Sequence, residues 1–281
     1  MCEYCVKHGE GKKWYLQAKN YSEDLWNDIK KKKVAREHFG VITTIAKREL
    51  KILKFISGKF PFLGLQLLKA FNKKFRQKHL GQVVPIEDVE NVLGIVNSVV
   101  RIPCVCRKST TNKEVRYCFA LSINPKSIGM AQFVNKNYCN GPDVSFFEKV
   151  DKKTALAFMK NLETSKTIHT VWTVSTPFVA FICNCGDDGC LPMLSYRSVG
   201  PVIMKGEYVS DVDDRTCKRC KKCVNICLFD AIAYDTNSDK IVIDKGKCYG
   251  CGICRSVCET SSVRLVDRAA ISEVANLVKQ I

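Results

Sequence analysis

The residues best equipped for chemistry are four cysteines, Cys217, Cys220, Cys223 and Cys227, whose pattern recurs as Cys248, Cys251, Cys254 and Cys258. Each copy reads C-x2-C-x2-C-x3-C, and the second begins 31 residues after the first. A [4Fe–4S] cubane needs three closely placed sulfurs on one tight loop and a fourth from elsewhere, which a duplicated unit supplies from its twin. The spacing therefore predicts two [4Fe–4S] clusters. Cys217, Cys220, Cys223 and Cys258 would hold one, and Cys248, Cys251, Cys254 and Cys227 the other. Zinc ribbons use two CxxC pairs and have no need of a third cysteine in each loop. A disulfide framework requires an oxidising compartment, and the opening Met1-Cys2-Glu3-Tyr4 lacks the basic and apolar stretches of a secretory signal.

The elements that must position these thiols are legible around them. Residues 207–213 alternate like a strand, and the first cysteine loop follows. Residues 224–229 read as a short helix that carries Cys227. Residues 231–235 and 240–244 read as a hairpin closed by Thr236-Asn237-Ser238-Asp239, and 262–267 as a last strand after the second loop. This doubled strand–loop–helix–strand unit resembles the bacterial two-cluster ferredoxin domain over residues 207–268. The resemblance implies a pseudo-twofold fold and electron transfer. One departure is visible: Leu228 and Glu259 stand where a proline usually follows the fourth cysteine. It bears on the stiffness of the turn, not on ligation.

A chain of 281 residues with 46% hydrophobic content has room for two or three small cored domains. Seventeen cysteines without a secretory signal point to a reducing, anaerobic cytoplasm, and no apolar run is long enough to span a membrane as a helix. The net charge of +17 is concentrated in residues 1–80, where 19 Lys and Arg face 7 Asp and Glu. Residues 211–267 carry 10 against 9. The basic excess suits an acidic protein partner, an anionic cofactor or an anionic lipid surface. No nucleic-acid-binding motif accompanies it, so Lys30–Lys33 reads as a solvated face, and no nucleic acid is expected as a partner.

Near the N-terminus, Cys2, Cys5 and His8 form a lone CxxC with a nearby histidine, which either ligates a metal with distant partners or does not. Residues 45–79 thread lysines between bulky apolar side chains, broken by Gly58 and Pro61. The simpler reading is a helical hairpin buried in the protein; peripheral membrane contact and partner docking leave the same signature. Residues 83–100 read as a turn and a helix with Pro85 at its start and Glu87 and Asp88 in its first turn. Residues 154–162 read as another helix. His169 opens a strand, as a structural hydrogen-bonder or a site residue alike.

A candidate third metal site lies at Cys104, Cys106, Cys183, Cys185 and Cys190, with Cys118 nearby. The two CxC pairs fall at the ends of apolar strand-like runs, 99–105 and 178–183. Strand residues two apart point the same way, so each pair would aim two sulfurs at one point. That suits a third iron–sulfur cluster or zinc, with Asp187 and Asp188 as secondary candidates; the alternative is a set of small buried apolar cysteines. The stretch also resembles the N-terminal half of ferredoxin-type proteins of anaerobes that carry a Pro-Cys-x-Cys-Arg turn and a later Cys-Asn-Cys turn, a resemblance that implies no particular reaction.

Together these readings give an α+β chain. A basic, mainly helical region (1–98) precedes a small α+β domain with the CxC pairs (99–206), the ferredoxin-like domain (207–268) and a C-terminal helix (269–281). The expected function is electron relay through two clusters to or from a partner redox enzyme. The alternatives are an oxidoreductase subunit with a third metal centre, or a subunit of a redox complex held at the membrane surface. Lys218, Arg219, Lys221 and Lys222 surround the first loop and form a candidate docking face for an acidic partner. Their field would make that cluster the more oxidising of the two.

Overall fold

Neighbouring side chains on a strand point to opposite faces, so a run of apolar neighbours must bury both faces of its sheet. The computed structural model, which describes residues 13–31, 80–133, 147–198 and 200–275 with Ile52, Phe55, Lys59, Gln66 and Leu67, is built on that rule. The described residues begin with two 3-10 turns (Trp14–Leu16 and Ala18–Tyr21) and α1 (Glu23–Lys31). Strand β1 (Gly81–Val84) leads into α2 (Ile86–Ile95), β2 (Ser98–Ile102), α3 (Val105–Thr111) and β3 (Cys118–Ser122). Then come β4 (Glu148–Val150), α4 (Lys152–Glu163), β5 (Thr167–Thr173), β6 (Val179–Gly186) and α5 (Leu191–Ser198). The strands so far form one six-stranded sheet in the order β1-β5-β6-β3-β2-β4. The sheet thus begins inside the segment read from sequence as the N-terminal region.

One face of this sheet packs Val84, Val99, Phe119, Leu121, Val171 and Ile182 against α2, α4 and the turn that carries Trp14 and Tyr15. The other presents Val83, Val100, Ala120, Ile168, Trp172 and Phe181 to a second core, which continues into the C-terminal lobe. Every residue of β5 is buried, as expected of a strand covered on both sides. Asp151 caps α4 by accepting the Thr154 backbone N–H at 3.0 Å.

The C-terminal lobe comprises β7 (Tyr208–Val212), α6 (Lys222–Ile226), β8 (Ile232–Asp235), β9 (Lys240–Ile243), α7 (Ile253–Ser256) and β10 (Val263–Asp267). β7 pairs antiparallel with β10, and β8 with β9. The architecture is α+β. A buried polar seam joins the lobe to the sheet. Gln82 on β1 accepts from Trp14 Nε1 and donates to Glu207 Oε1 at 3.1 Å, while Asp88 accepts from Tyr15 at 2.6 Å and from Tyr208 at 3.3 Å. After β10 the chain forms a 3-10 turn at Arg268–Ala270.

Several sequence readings lie outside the described residues: Cys2, Cys5 and His8, Lys32 and Lys33, nearly all of 45–79, and the chain beyond 275. Among the described residues no helix is long and apolar enough to cross a membrane.

Candidate iron–sulfur centres

The two cysteine loops repeat in backbone as well as in sequence. Arg219 and Gly250, Lys221 and Gly252, and Asp230 and Ser261 all have left-handed φ, and each pair is separated by the same 31 residues as the cysteines. Gly250 has no alternative there, since a Cβ would stand 2.1 Å from the Tyr208 carbonyl oxygen. The turns bring each loop's first three sulfurs round to the start of a short helix. The expected helix over 224–229 is displaced: α6 ends at Ile226, and Cys227 sits in extended backbone just past it. Cys227 therefore leaves the helix and reaches toward the other loop.

Cys217, Cys220 and Cys223 line a small cavity together with Cys258 from the second repeat. Lys218, Lys221 and Lys222 share its wall. In the mirror arrangement, Cys251 and Cys254 interact with Cys248 and with Cys227 from the first repeat. Burial pushes the Cys223 thiol up to about 11 and Cys254 to about 12. At Cys258 burial also pushes upward, but hydrogen bonds from Thr260 and nearby backbone outweigh it and hold the thiol below its ordinary value.

Hydrogen bonds to sulfur differ between the loops. In the first set the Arg219 N–H donates to Cys217 Sγ at 3.4 Å, and Thr260 Oγ1 lies 3.7 Å from Cys258 Sγ. Around the second set, Ser210 N–H and Gly250 N–H donate to Cys248 Sγ at 3.3 and 3.4 Å, and Ala231 N–H donates to Cys227 Sγ at 3.4 Å. Ser210 Oγ lies 3.2 Å from Cys254 Sγ. Arg268, 1% exposed, donates to the carbonyls of Cys248, Tyr208 and Gly206 at 2.7, 2.8 and 2.9 Å, which sets a buried guanidinium against the second loop. The cations of the first loop are largely engaged. Arg219 pairs with Asp239 at 3.3 Å, Lys222 pairs with Glu259, and Lys221 stands 3.8 Å over the Tyr234 ring.

The cysteines of the sheet also gather, by a different route from the one expected. Cys183 and Cys185 do lie two apart on β6 and share the face that looks toward the lobe. Cys104 and Cys106 do not lie on a strand. β2 ends at Ile102, where Pro103 removes the next donor, and Cys104 caps α3, which carries Cys106 in its first turn. The helix nevertheless turns both toward β6. Cys104 Sγ lies 3.3 Å from Cys118 Sγ, which also contacts Cys183, and Cys106 faces Cys185, which contacts Cys190. All six are free thiols.

Arg107, 2% exposed, enters this group. Its Nη1 donates to the Asn184 carbonyl at 2.9 Å and lies 3.7 Å from Cys104 Sγ, and its Nη2 pairs with Asp188 at 2.6 Å. Its Nε is buried without a hydrogen-bond partner. Asp187 pairs with Arg197 at 3.3 Å, so both aspartates read as secondary ligands serve arginines. His169 is fully buried; its Nδ1 lies 2.6 Å from Asn184 Oδ1 and its Nε2 3.6 Å from Glu163 Oε1. Sequence reasoning passed over Arg107, Ser210 and Arg268. Only the position of Arg107 immediately after Cys106 hinted at a role.

Among the described residues no three Cys, His, Asp or Glu side chains converge on the position of a single ion. A cubane instead spreads its four thiolates around a cage.

Comparison with known proteins agrees with this geometry. Residues 216–262 match the family model of the 4Fe-4S dicluster domain. The archaeal-type glutamate synthases [NADPH] of Thermotoga maritima and Thermotoga sp. (strain RQ2) are 37% identical over 57 residues, 20% of this chain and 11% of theirs. That of Dehalococcoides mccartyi is 36% identical over 61 residues, 22% of this chain and 12% of its own. The likeness is thus confined to about a fifth of this chain and about a ninth of those relatives. The C-terminal lobe carries a 4Fe-4S dicluster-type domain over residues 216–262, which supports an iron–sulfur electron-transfer role.

Proposed function

We propose that the chain relays single electrons through two [4Fe–4S] clusters, held crosswise by Cys217, Cys220, Cys223 and Cys258 and by Cys248, Cys251, Cys254 and Cys227. The observation that carries this reading is the cavity in which three cysteines of one loop meet the fourth cysteine of the other. Both loops also share the turns that wrap a cubane. The clusters would supply one-electron chemistry; the protein supplies thiolates, hydrogen bonds and charge that set their potentials.

Those charges favour the opposite order to the one expected from sequence. Exposed pairs such as Lys222–Glu259 and Arg219–Asp239 leave little field in water and salt. Arg268 is buried against the second loop, where a charge acts through a much lower dielectric. The 248-loop cluster is therefore assigned the higher potential. The cavity of the 217-loop opens beside Lys218, where an acidic redox enzyme would dock with salt-sensitive steering. The relatives are glutamate synthases named for NADPH, so a partner that handles reducing equivalents fits.

Anaerobic potentiometry with EPR tests this. Two one-electron steps are expected from these two clusters. Cys258→Ser should disturb the lower and Cys227→Ser the higher. A colourless air-free preparation, or a single step, defeats the relay.

A further inference from the structure

We infer that four of the six thiols of Cys104, Cys106, Cys118, Cys183, Cys185 and Cys190 hold a third iron–sulfur cluster, connected through α5 to the 248-loop cluster. This rests on the relay reading above and extends it into the sheet domain.

Three observations carry the site. The first is the donor set. Six free thiols from α3, β3, β6 and the turn after β6 meet on one face of the sheet, with no histidine among them. An all-sulfur set suits iron–sulfur chemistry, and the neighbouring aspartates are committed to arginines. The second is Arg107. A guanidinium with a buried, unpartnered Nε is costly, and its one carboxylate partner, Asp188, is half exposed. An anionic thiolate-ligated cluster beside Cys104 would complete its surroundings. The backbone N–H of Tyr117 already donates to Cys104 Sγ at 3.1 Å, and Thr170 Oγ1 lies 3.5 Å from Cys185 Sγ. Both contacts match those made to the ferredoxin sulfurs.

The third is continuity. α5 starts immediately after Cys190 and runs to the lobe. There the Tyr196 ring meets Phe229 and Tyr249 edge-on at 5.2 and 5.7 Å, and Phe229 and Tyr249 stack at 3.9 Å. Phe229 lies two residues after Cys227 and Tyr249 one after Cys248, both ligands of the same cluster in the crosswise arrangement. Arg197 on α5 clamps the junction by pairing with Asp230 at 2.8 Å. An electron leaving the third cluster oxidises it by one and reduces the 248-loop cluster by one, with no proton or other reactant needed.

Metal analysis of the full chain, purified and reconstituted without oxygen, decides the matter. It is run on the native sequence and on two variants, Cys106→Ser/Cys185→Ser and Cys183→Ser/Cys190→Ser. About twelve irons per chain are expected for the native protein. No choice of four ligands from six survives both variants, so at least one variant should fall to about eight irons while its ferredoxin EPR signals persist. Those signals also show that the variant has folded. About eight irons in all three proteins would overturn the third cluster and leave the relay standing. Zinc that disappears with the variants, in place of the extra iron, would also overturn it. About four irons in the native protein, lost with the variants, would keep the third site and defeat the relay.

Discussion

Glycine at position 250 shows how one residue fixes a cluster loop. Its repeat partner, Arg219, adopts the same left-handed φ with a full side chain, so the conformation alone does not demand glycine. The Tyr208 carbonyl does, because it occupies the space a Cβ would need. Gly250→Ala must therefore move β7 or open the loop, and it should cost about four irons per chain. Arg219→Gly should cost none, since it removes a left-handed non-glycine worth roughly 1 kcal/mol of strain. Equal iron in both variants would contradict the steric argument. Ser210 acts on potential instead of assembly. A hydrogen bond to sulfur worth roughly 1 kcal/mol corresponds to about 40 mV for one electron. Ser210→Ala should lower the 248-loop potential by about that much and leave the 217-loop potential unmoved. A shift in both, followed by EPR titration, would mean that Ser210 acts through general packing.

Among the elements, α4 offers the cleanest measure of local stability. Asp151 satisfies its first turn from an exposed position. Asp151→Ala should cost about 1 kcal/mol, read as a fall in unfolding midpoint, with iron content unchanged. The elements also show where the sequence was readable. α2 and α4, β7, β10 and the β8–β9 hairpin stand out because their apolar periodicity, caps and turn residues agree with their tertiary surroundings. Local spacing alone marks the eight cysteines proposed as cluster ligands. The sheet cysteines were legible as a group and not in their geometry. An apolar run through 99–105 looks like one strand, and only Pro103 and the pairing of β2 with β3 turn its end into α3. Arg107, Ser210 and Arg268 escaped because a polar residue bears no local mark of burial. Their roles come from β6, from the second loop and from the return of the chain after β10.

For the molecule as a whole, the sheet is the partition between two cores, and the lobe is built into one of them. Phe229, Tyr249 and the buried cysteines of the lobe belong to the same apolar cluster as Trp172, Phe181 and Met193 of the sheet domain. Arg255 in the second loop also pairs with Glu87 on α2 at 2.7 Å. The 248-loop is thus braced by the sheet domain, whereas Cys220 at the 217-loop is exposed. Chelators should strip the two proposed ferredoxin clusters at different rates, the 217-loop cluster first. Tyr196→Ala removes the ring packed edge-on against the Phe229–Tyr249 stack and the hydroxyl that donates to the Phe229 carbonyl at 3.3 Å. Losing a half-buried aromatic at a packed junction costs roughly 2 kcal/mol, below the 3–5 kcal/mol of a full core truncation. If that loss falls on local opening of the junction, iron release from the 248-loop cluster should accelerate by more than tenfold, because about 1.4 kcal/mol is a factor of ten. Release from the 217-loop cluster should stay as it was. Equal acceleration at both, followed by the decay of their separate EPR signals under chelator, would show that α5 supports the lobe as a whole and not the braced loop in particular.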